Sequence, residues 1–411
     1  MKHVAMLLYK DVLYDARVQR EALALAQSGI FVHIICVKEY ELELEKLHQN
    51  IEVIRVNISV KQAKSNLTGK NKKVSSKFTI KKLIFKVIRL PMVKLLKDIL
   101  SYQEFYRKAF NYMKVSGDKW QVIHSHDLNT LWQGARLARD FNTKLIYDSH
   151  ELFNEMAGRN KLDKKVGYFF EGKLLKQVDH LILVNPFVQI EFEKRYSKKP
   201  VTIIQNTPIN TLAEEQDAEE RYFHQKYHLH QKARILIYQG GINPHRGLYN
   251  VVDTVKLLPD NFYLVMMGDG RLKGSLQDKV NSLQLSHRVF FHDQVPSKDV
   301  LWYTKQADIG LVMYENTSQN NYFSTPNKIF EYMIAGIPTV ASNHPGKSYV
   351  VEKEQTGICT EEDPESISRA ILTISERYAF YQKQCMEKRK KYNWDVEKEK
   401  LQALYKSIVV H

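Results

Sequence analysis

Residues 3–9 (HVAMLLY) form an unbroken apolar run, residues 31–37 (FVHIICV) form another, and between them Val18, Ala22, Leu25 and Ala26 recur at helical spacing. Strands without polar alternation are buried on both faces, which calls for a parallel sheet covered by helices. Gly29 closes the helical pattern. This strand–helix–strand opening predicts a doubly wound α/β domain, whose ligands bind beyond the carboxyl ends of the strands. The loop over residues 10–17 therefore faces the crevice.

The same pattern continues. Strands are predicted over 51–60, 121–127, 144–147, 181–184 and 201–204, and helices over 102–115 and 131–139. An acidic, apolar-poor stretch at 211–221 follows, and at 234–238 (RILIY) the strand pattern starts again. With 411 residues, 44% of them hydrophobic, the chain can build two cores. Cys36, Cys359 and Cys385 lie far apart with no disulfide or metal-ligand spacing, so a reducing, cytoplasmic setting is expected. The first residues read as a strand rather than a signal peptide, and no apolar run is long enough to span a membrane.

The net charge of +15 is unevenly spread: residues 61–100 hold twelve Lys or Arg and one acid, Asp98. Ile80, Leu83, Ile84, Val87 and Ile88 share one helical face, with Lys81, Lys82, Lys86 and Arg89 opposite. A basic amphipathic helix of this kind suits an anionic membrane surface. A core-facing helix, kinked or divided at Pro91, is the plainer reading. A nucleic-acid partner is not expected, because no aromatic residues interleave the lysines before Lys77.

A second organising stretch is residues 322–342 (YFSTPNKIFEYMIAGIPTVAS). Thr325 before Pro326 predicts an N-cap and first helical position, Gly336 the end, and 339–341 a strand. Unpaired N–H groups, the positive dipole end and Lys328 favour an anion there, with Glu331 on the same face. The plain alternative is a capped helix with a surface ion pair. Upstream, the glycine-containing loop 240–247, with Gly240, Gly241 and Arg246, offers N–H groups and a guanidinium to a diphosphate. Asp148-Ser-His150-Glu151 follows the 144–147 strand into the first crevice, and a neutral His150 imidazole there suits a sugar hydroxyl or a proton relay.

These segments resemble the GT-B-fold retaining glycosyltransferases of family four, the glycogen synthase type, over nearly the whole chain. The resemblance is carried by Asp15-Ala-Arg17 in the opening helix, His-x-His126-Asp, Asp-x-His150-Glu, the glycine loop at 240–247, Gly268-Asp269-Gly270, Val295-Pro-Ser and Lys328-x-x-Glu331 before Ala-Gly-x-Pro. It implies two Rossmann-like, doubly wound parallel-sheet domains with a cleft between them. The expected division is 1–208 and 209–392, with a terminal helix, 393–411, crossing back onto the first domain. It further implies donor binding by Gly240, Gly241, Arg246, Gly268, Asp269, Val295, Ser324, Thr325, Lys328 and Glu331. The catalytic set is expected to be His150, Arg246 and Lys328, with Asp15, Arg17 and His126 on the acceptor side. The family's first glutamate is replaced by Phe323, and its usual glycine-loop arginine by Gly241.

The implied activity is transfer of a sugar, with retention, from a nucleoside diphosphate donor, taken as UDP-linked, to a glycan or lipid-linked acceptor in envelope polysaccharide synthesis. No cofactor and no metal are expected; the chain has no Asp-x-Asp pair. The expected location is the cytoplasmic face of the plasma membrane, held peripherally by residues 61–100. A non-catalytic sugar-nucleotide-binding scaffold and a GT-B-fold epimerase are the alternatives.

Overall fold

The computed structural model describes residues 2–42, 45–59, 91–211 and 221–409. Two parallel sheets organise them. The first has seven strands: β1 (Lys2–Leu8), β2 (Ile30–Val37), β3 (Ile51–Val56), β4 (Trp120–His126), β5 (Lys144–Ser149), β6 (His180–Leu183) and β7 (Val201–Ile203). Their order is β3-β2-β1-β4-β5-β6-β7. The second has six: β8 (Arg234–Gln239), β9 (Phe262–Met267), β10 (Val289–His292), β11 (Ile309–Val312), β12 (Thr339–Ser342) and β13 (Gly357–Thr360). They run β10-β9-β8-β11-β12-β13.

This is the doubly wound pair predicted from the apolar runs. Strand order reverses between β1 and β4 in one sheet and between β8 and β11 in the other, and such switch points open crevices at the strands' carboxyl ends. Those ends carry Tyr9, Asp127, Gly240 and Met313. Both faces of each sheet are covered: Val4, Met6 and Leu8 lie in one cluster with Val18, Ala22 and Leu25 of helix Ala16–Gln27. Ala5 and Leu7 lie in another, with Phe105, Ala109 and Leu131. That alternation explains why β1 shows no polar face.

Helix Trp394–Val409 inserts Trp394, Leu401, Leu404 and Tyr405 into the first sheet's core. Its position is fixed by polar contacts as well. Trp394 N donates to Pro208 O at 3.1 Å, and Glu397 accepts from Gln205 N at 2.9 Å.

Several local expectations change. β3 ends at Val56, short of the expected 60, and after the loop 240–247 comes an α-helix, Leu248–Thr254, followed by a 3-10 turn, Val255–Leu257. Helices Lys161–Leu175 and Pro186–Arg195 had no expectation. The basic amphipathic segment falls mainly on residues 60–90, outside the described residues. Its end, from Pro91, belongs to helix Pro91–Ser116, which contains the helix expected at 102–115. Among the described residues no helix is long and apolar enough to cross a membrane.

Candidate functional site

At the second sheet's switch point, β8 runs into the loop 240–247 and β9 into 268–270. Gly240 N donates to Met267 O, and Ile242 N to Asp269 O, both at 2.9 Å. The two loops touch main chain to main chain. A Cβ on Gly268, whose φ is 147°, would lie 2.0 Å from Gly240 O, so only glycine permits the approach.

A cavity of about 550 Å³ opens over these loops, lined by Gly240, Gly241, Gly268, Asp269, Val295, Lys328 and Glu331 of the expected donor set, with Tyr314 and Ser297. Arg246 joins through Tyr314: its guanidinium lies 3.9 Å from that ring's centre. A larger depression, about 870 Å³, lies at the opposite ends of the strands beside Ala233 and Asp308. It sits where parallel sheets do not place their ligands.

The cavity's charge is unbalanced. Lys328 and Lys347 stand 5.6 and 5.2 Å from the same Tyr314 ring, and Lys328 also lies 4.4 Å from Tyr238. Both lysines are buried. Burial, then the Arg246 charge, pushes Lys328 down to about 7 against the pull of Glu331. Lys347 also falls to about 7, again chiefly through burial. Helix Asn327–Ala335 begins beside them with Pro326 at its N-cap and no side-chain cap bond. The start of this helix and Lys328 line the same cavity.

Glu331 balances the cations only partly. Its carboxyl is raised by burial, against a hydrogen bond from Gln239 and the charges of Lys328 and Arg20. Gln239 Nε2 donates to Glu331 Oε2 at 2.5 Å, while Thr304 Oγ1 donates to Gln239 Oε1 at 2.8 Å. The carboxylate is thus oriented from behind. Gln239, Thr304, Tyr314 and Lys347 were not singled out from sequence; only the positions of Gln239 and Lys347, at or just after strand ends, signalled them.

Across the cleft, His150 follows β5. Its Nε2 lies 3.0 Å from Asp148 Oδ2 and 3.2 Å from His126 Nδ1, and its Nδ1 lies 3.4 Å from Asp127 Oδ2. Burial alone would depress this imidazole, but Asp127 and Asp148 outweigh it and lift the pKa to about 9. The neutral ring expected from sequence is therefore an imidazolium at neutral pH. Asp127 holds a φ of 63°, a costly conformation for a non-glycine residue, and its Oδ1 accepts from His150 N at 3.2 Å.

The expected acceptor-side residues need correction. Arg17 is 3% exposed and His126 0%. Arg17 Nε and Nη2 donate to the two oxygens of Asp148 at 3.1 and 2.9 Å, and Nη1 donates to Ile204 O at 3.0 Å. Its guanidinium is used up inside the domain, beneath the cleft floor. Asp15 caps helix Ala16–Gln27 by accepting from Val18 N at 3.1 Å, and pairs with Lys10 at 2.7 Å. Glu21, His124, His126 and Asp148 bring ligand-type atoms within 4.8 Å of one another. A cation already stands among them, since Arg17 Nε is 2.9 Å from Glu21. Burial and Asp148 raise Glu21 to about 8, so it is held largely protonated.

Two expected donor contacts also differ. Thr325 is not a cap: its hydroxyl donates to Gly346 O at 2.5 Å and accepts from Asn185 at 3.1 Å. Ser324 Oγ donates to Asn321 O at 3.1 Å, within its own turn. Ahead of them is a short helix, Gln319–Phe323, and the Phe323 ring packs on the first domain's core. Asn320 spans the cleft as well, accepting from Leu152 N at 3.0 Å and donating to Glu151 at 2.8 Å.

Two family models match the chain: "Glycosyltransferase Family 4" over residues 16–207 and "Glycosyl transferases group 1" over 219–392. The GDP-mannose-dependent alpha-(1-6)-phosphatidylinositol dimannoside mannosyltransferase of Mycobacterium tuberculosis is 21% identical over 280 residues, 65% of this chain and 68% of its own. Among solved structures, sucrose-phosphate synthase from Thermosynechococcus elongatus matches with a TM-score of 0.74 and 16% identity over 100% of both chains. HepE of Anabaena in complex with UDP gives 0.72 and 14% over 99% of this chain and 100% of its own.

Proposed function

Starting from a chain that belongs to the GT-B-fold glycosyltransferases of family four, we propose that it moves a sugar from a UDP-linked donor to a glycan or lipid-linked acceptor with retention. One observation carries this reading. Lys328 and an uncapped helix N-terminus line a cavity that also holds an oriented carboxylate, Glu331, and Arg246 stacks on Tyr314 of its wall.

The diphosphate sits against Lys328, Arg246 and the first-turn N–H groups, and Glu331 accepts from the ribose hydroxyls. The acceptor hydroxyl attacks the anomeric carbon on the face from which the diphosphate departs. The new carbon–oxygen bond forms as the bond to phosphate breaks, and the hydroxyl proton passes to the departing phosphate oxygen. Cations fixed around that oxygen stabilise its growing charge, so the step needs neither metal nor cofactor. His150, being protonated, serves as a donor that orients the sugar, not as a base.

The UDP assignment draws on HepE, and the mycobacterial mannosyltransferase favours GDP-mannose as a second donor to test. Envelope polysaccharide or glycolipid synthesis at the inner face of the plasma membrane fits the basic segment 61–100. The test is donor consumption over a panel of UDP-, GDP- and TDP-sugars, with and without membrane extract. Turnover of a UDP-sugar supports the reading; no hydrolysis or transfer from any donor overturns it. Binding without turnover, unchanged by His150→Ala, supports the scaffold that Phe323 and Gly241 favour. Flotation with anionic liposomes tests the membrane claim, and binding that survives charge reversal of Lys81, Lys82 and Lys86 contradicts it.

A further inference from the structure

The amino ends of the first sheet's central strands lie about 20 Å from the cleft, the length of β1. There His3 of β1, His33 of β2 and Asp118, just ahead of β4, bring ligand-type atoms within 4.8 Å of one another. His3 Nδ1 lies 3.0 Å from His33 Nε2 and 3.5 Å from Asp118 Oδ1. His33 Nε2 lies 3.8 Å from Asp118 Oδ2. Two ligands of a tetrahedral zinc, each about 2.0–2.1 Å from the ion, stand about 3.3 Å apart. The three separations straddle that edge.

The rings are held from behind. Tyr112 Oη, from helix Pro91–Ser116, donates to Glu52 Oε2 at 2.9 Å and lies 2.7 Å from His33 Nδ1. A phenol has one proton to give, so here it accepts from His33 Nδ1–H. Burial pushes the His33 pKa down to about 4, so the ring is neutral and its Nε2 carries a lone pair. No hydrogen then stands between His33 Nε2 and the Asp118 carboxylate, and a cation between them relieves their repulsion. A hydrogen-bonded chain ending on a carboxylate is the usual support of a zinc-binding imidazole. Aromatic rings fix the pair sideways: Phe31 stacks on His3 at 5.4 Å, and Trp120 meets His33 edge-on at 4.7 Å. The His3 and Asp118 side chains keep 18% and 25% of their surface exposed, which leaves an entry for an ion and for water.

We propose that His3, His33 and Asp118 form a zinc site, with water as the fourth ligand, that clips β1, β2 and the start of β4 together. In the metal-free protein His3 Nδ1–H donates to His33 Nε2; zinc takes that proton's place as His3 passes to its Nε2–H tautomer. Two nitrogens and one carboxylate suit zinc and not magnesium, which prefers oxygen ligands. The ion stiffens the first sheet from the end opposite the cleft and takes no part in sugar transfer.

The experiment titrates zinc chloride into the untagged, chelator-treated full chain, read by calorimetry and by Tm, with His3→Gln and Asp118→Asn beside wild type. Each variant removes one ligand at the rim, and either decides the matter if the other folds poorly. The expected result is one zinc per wild-type chain, bound at least tenfold more weakly by both variants. Zinc should raise the wild-type Tm by at least about 3 °C, a rise that both variants lose and that magnesium does not produce. Cobalt in place of zinc should give wild type the intense visible absorption of a four-coordinate ion, absent from the variants. Zinc affinity and Tm rise equal in all three proteins put the ion elsewhere and overturn the site. Wild type that binds no zinc, or that responds equally to magnesium, overturns it too. Donor consumption should be the same with chelator and with zinc; a rate at least tenfold lower with chelator overturns the separation from the transfer step.

Discussion

Gln239 and Glu331 face each other across the second sheet's switch point, with Nε2 of one 2.5 Å from Oε2 of the other. Thr304, donating to Gln239 Oε1 at 2.8 Å, fixes the amide so that its N–H side meets the carboxylate. Hydrogen bonds to charged groups contribute about 1.5–3 kcal/mol, and a part of that is lost when a carboxylate is merely left free to turn. Gln239→Ala is expected to raise donor KM about tenfold with kcat within about threefold, since roughly 1.4 kcal/mol is a factor of ten. Glu331→Ala, which removes the ribose contact itself, raises it further. Initial rates across donor concentrations check both.

Lys328 and Lys347 both titrate near 7 in the free protein. A bound diphosphate restores the charged form of Lys328 and, through the shared Tyr314 neighbourhood, favours that of Lys347. Binding between about pH 7 and 9 therefore takes up protons, and affinity is highest below pH 7 and declines above it. Calorimetry at pH 8 in two buffers of different ionisation enthalpy reads the uptake. Lys328→Met is expected to remove most of it. Heats that do not depend on the buffer contradict this assignment.

His150 is expected to remain charged to about pH 9. Its folded pKa lies above the unfolded value near 6.5, so its stabilising contribution is complete below about 6.5 and lost as pH rises through 9. The Tm difference between wild type and His150→Gln should shrink from pH 7 to pH 10. A difference that instead shrinks between pH 5.5 and 7.5 returns the ring to its ordinary range.

Asp148 and Arg17 form a buried two-point pair beneath the cleft. Burial opposes the Asp148 charge, but Arg17 and His150 hold its carboxyl well below the usual range. Asp148→Asn leaves the buried guanidinium with Glu21 alone and the imidazolium with Asp127 alone, and breaking a buried pair from one side costs about 3–5 kcal/mol. The expected result is a large loss in urea-unfolding midpoint. A stability change under about 1 kcal/mol contradicts a structural role for the pair.

The strands were legible in the sequence because β1, β2 and β8 are apolar on both faces, the pattern of strands buried in a parallel sheet. The donor cavity was legible for a related reason: residues just beyond such strands must line a crevice, and Gly240, Gly268 and Lys328 fall there. Inside and outside were not legible for the charged residues at the other crevice. His124 and His126 are two apart on β4 and share a face; the family resemblance brings the terminal helix back onto this domain, but only the fold shows it closing over them through Tyr405, whose Oη lies 2.8 Å from His124 Nδ1. Arg17 reads from the sequence as an acceptor-side residue of the crevice, because nothing local shows its partner Asp148, 131 residues away. Lys347 escaped notice because a lysine after a glycine reads as a loop charge, and only the fold shows it turned onto Asn321 and Ser324.

Calorimetric titration of UDP into wild type and Lys328→Met at pH 6.5, where Lys328 is mostly protonated, tests whether the cavity is a nucleoside diphosphate site. Saturable one-to-one binding is predicted for wild type. Affinity at least thirtyfold weaker is predicted for the variant, corresponding to about 2 kcal/mol for the lost charge-assisted contact. Equal affinity in the two proteins, or no binding of UDP or GDP to either, would contradict it.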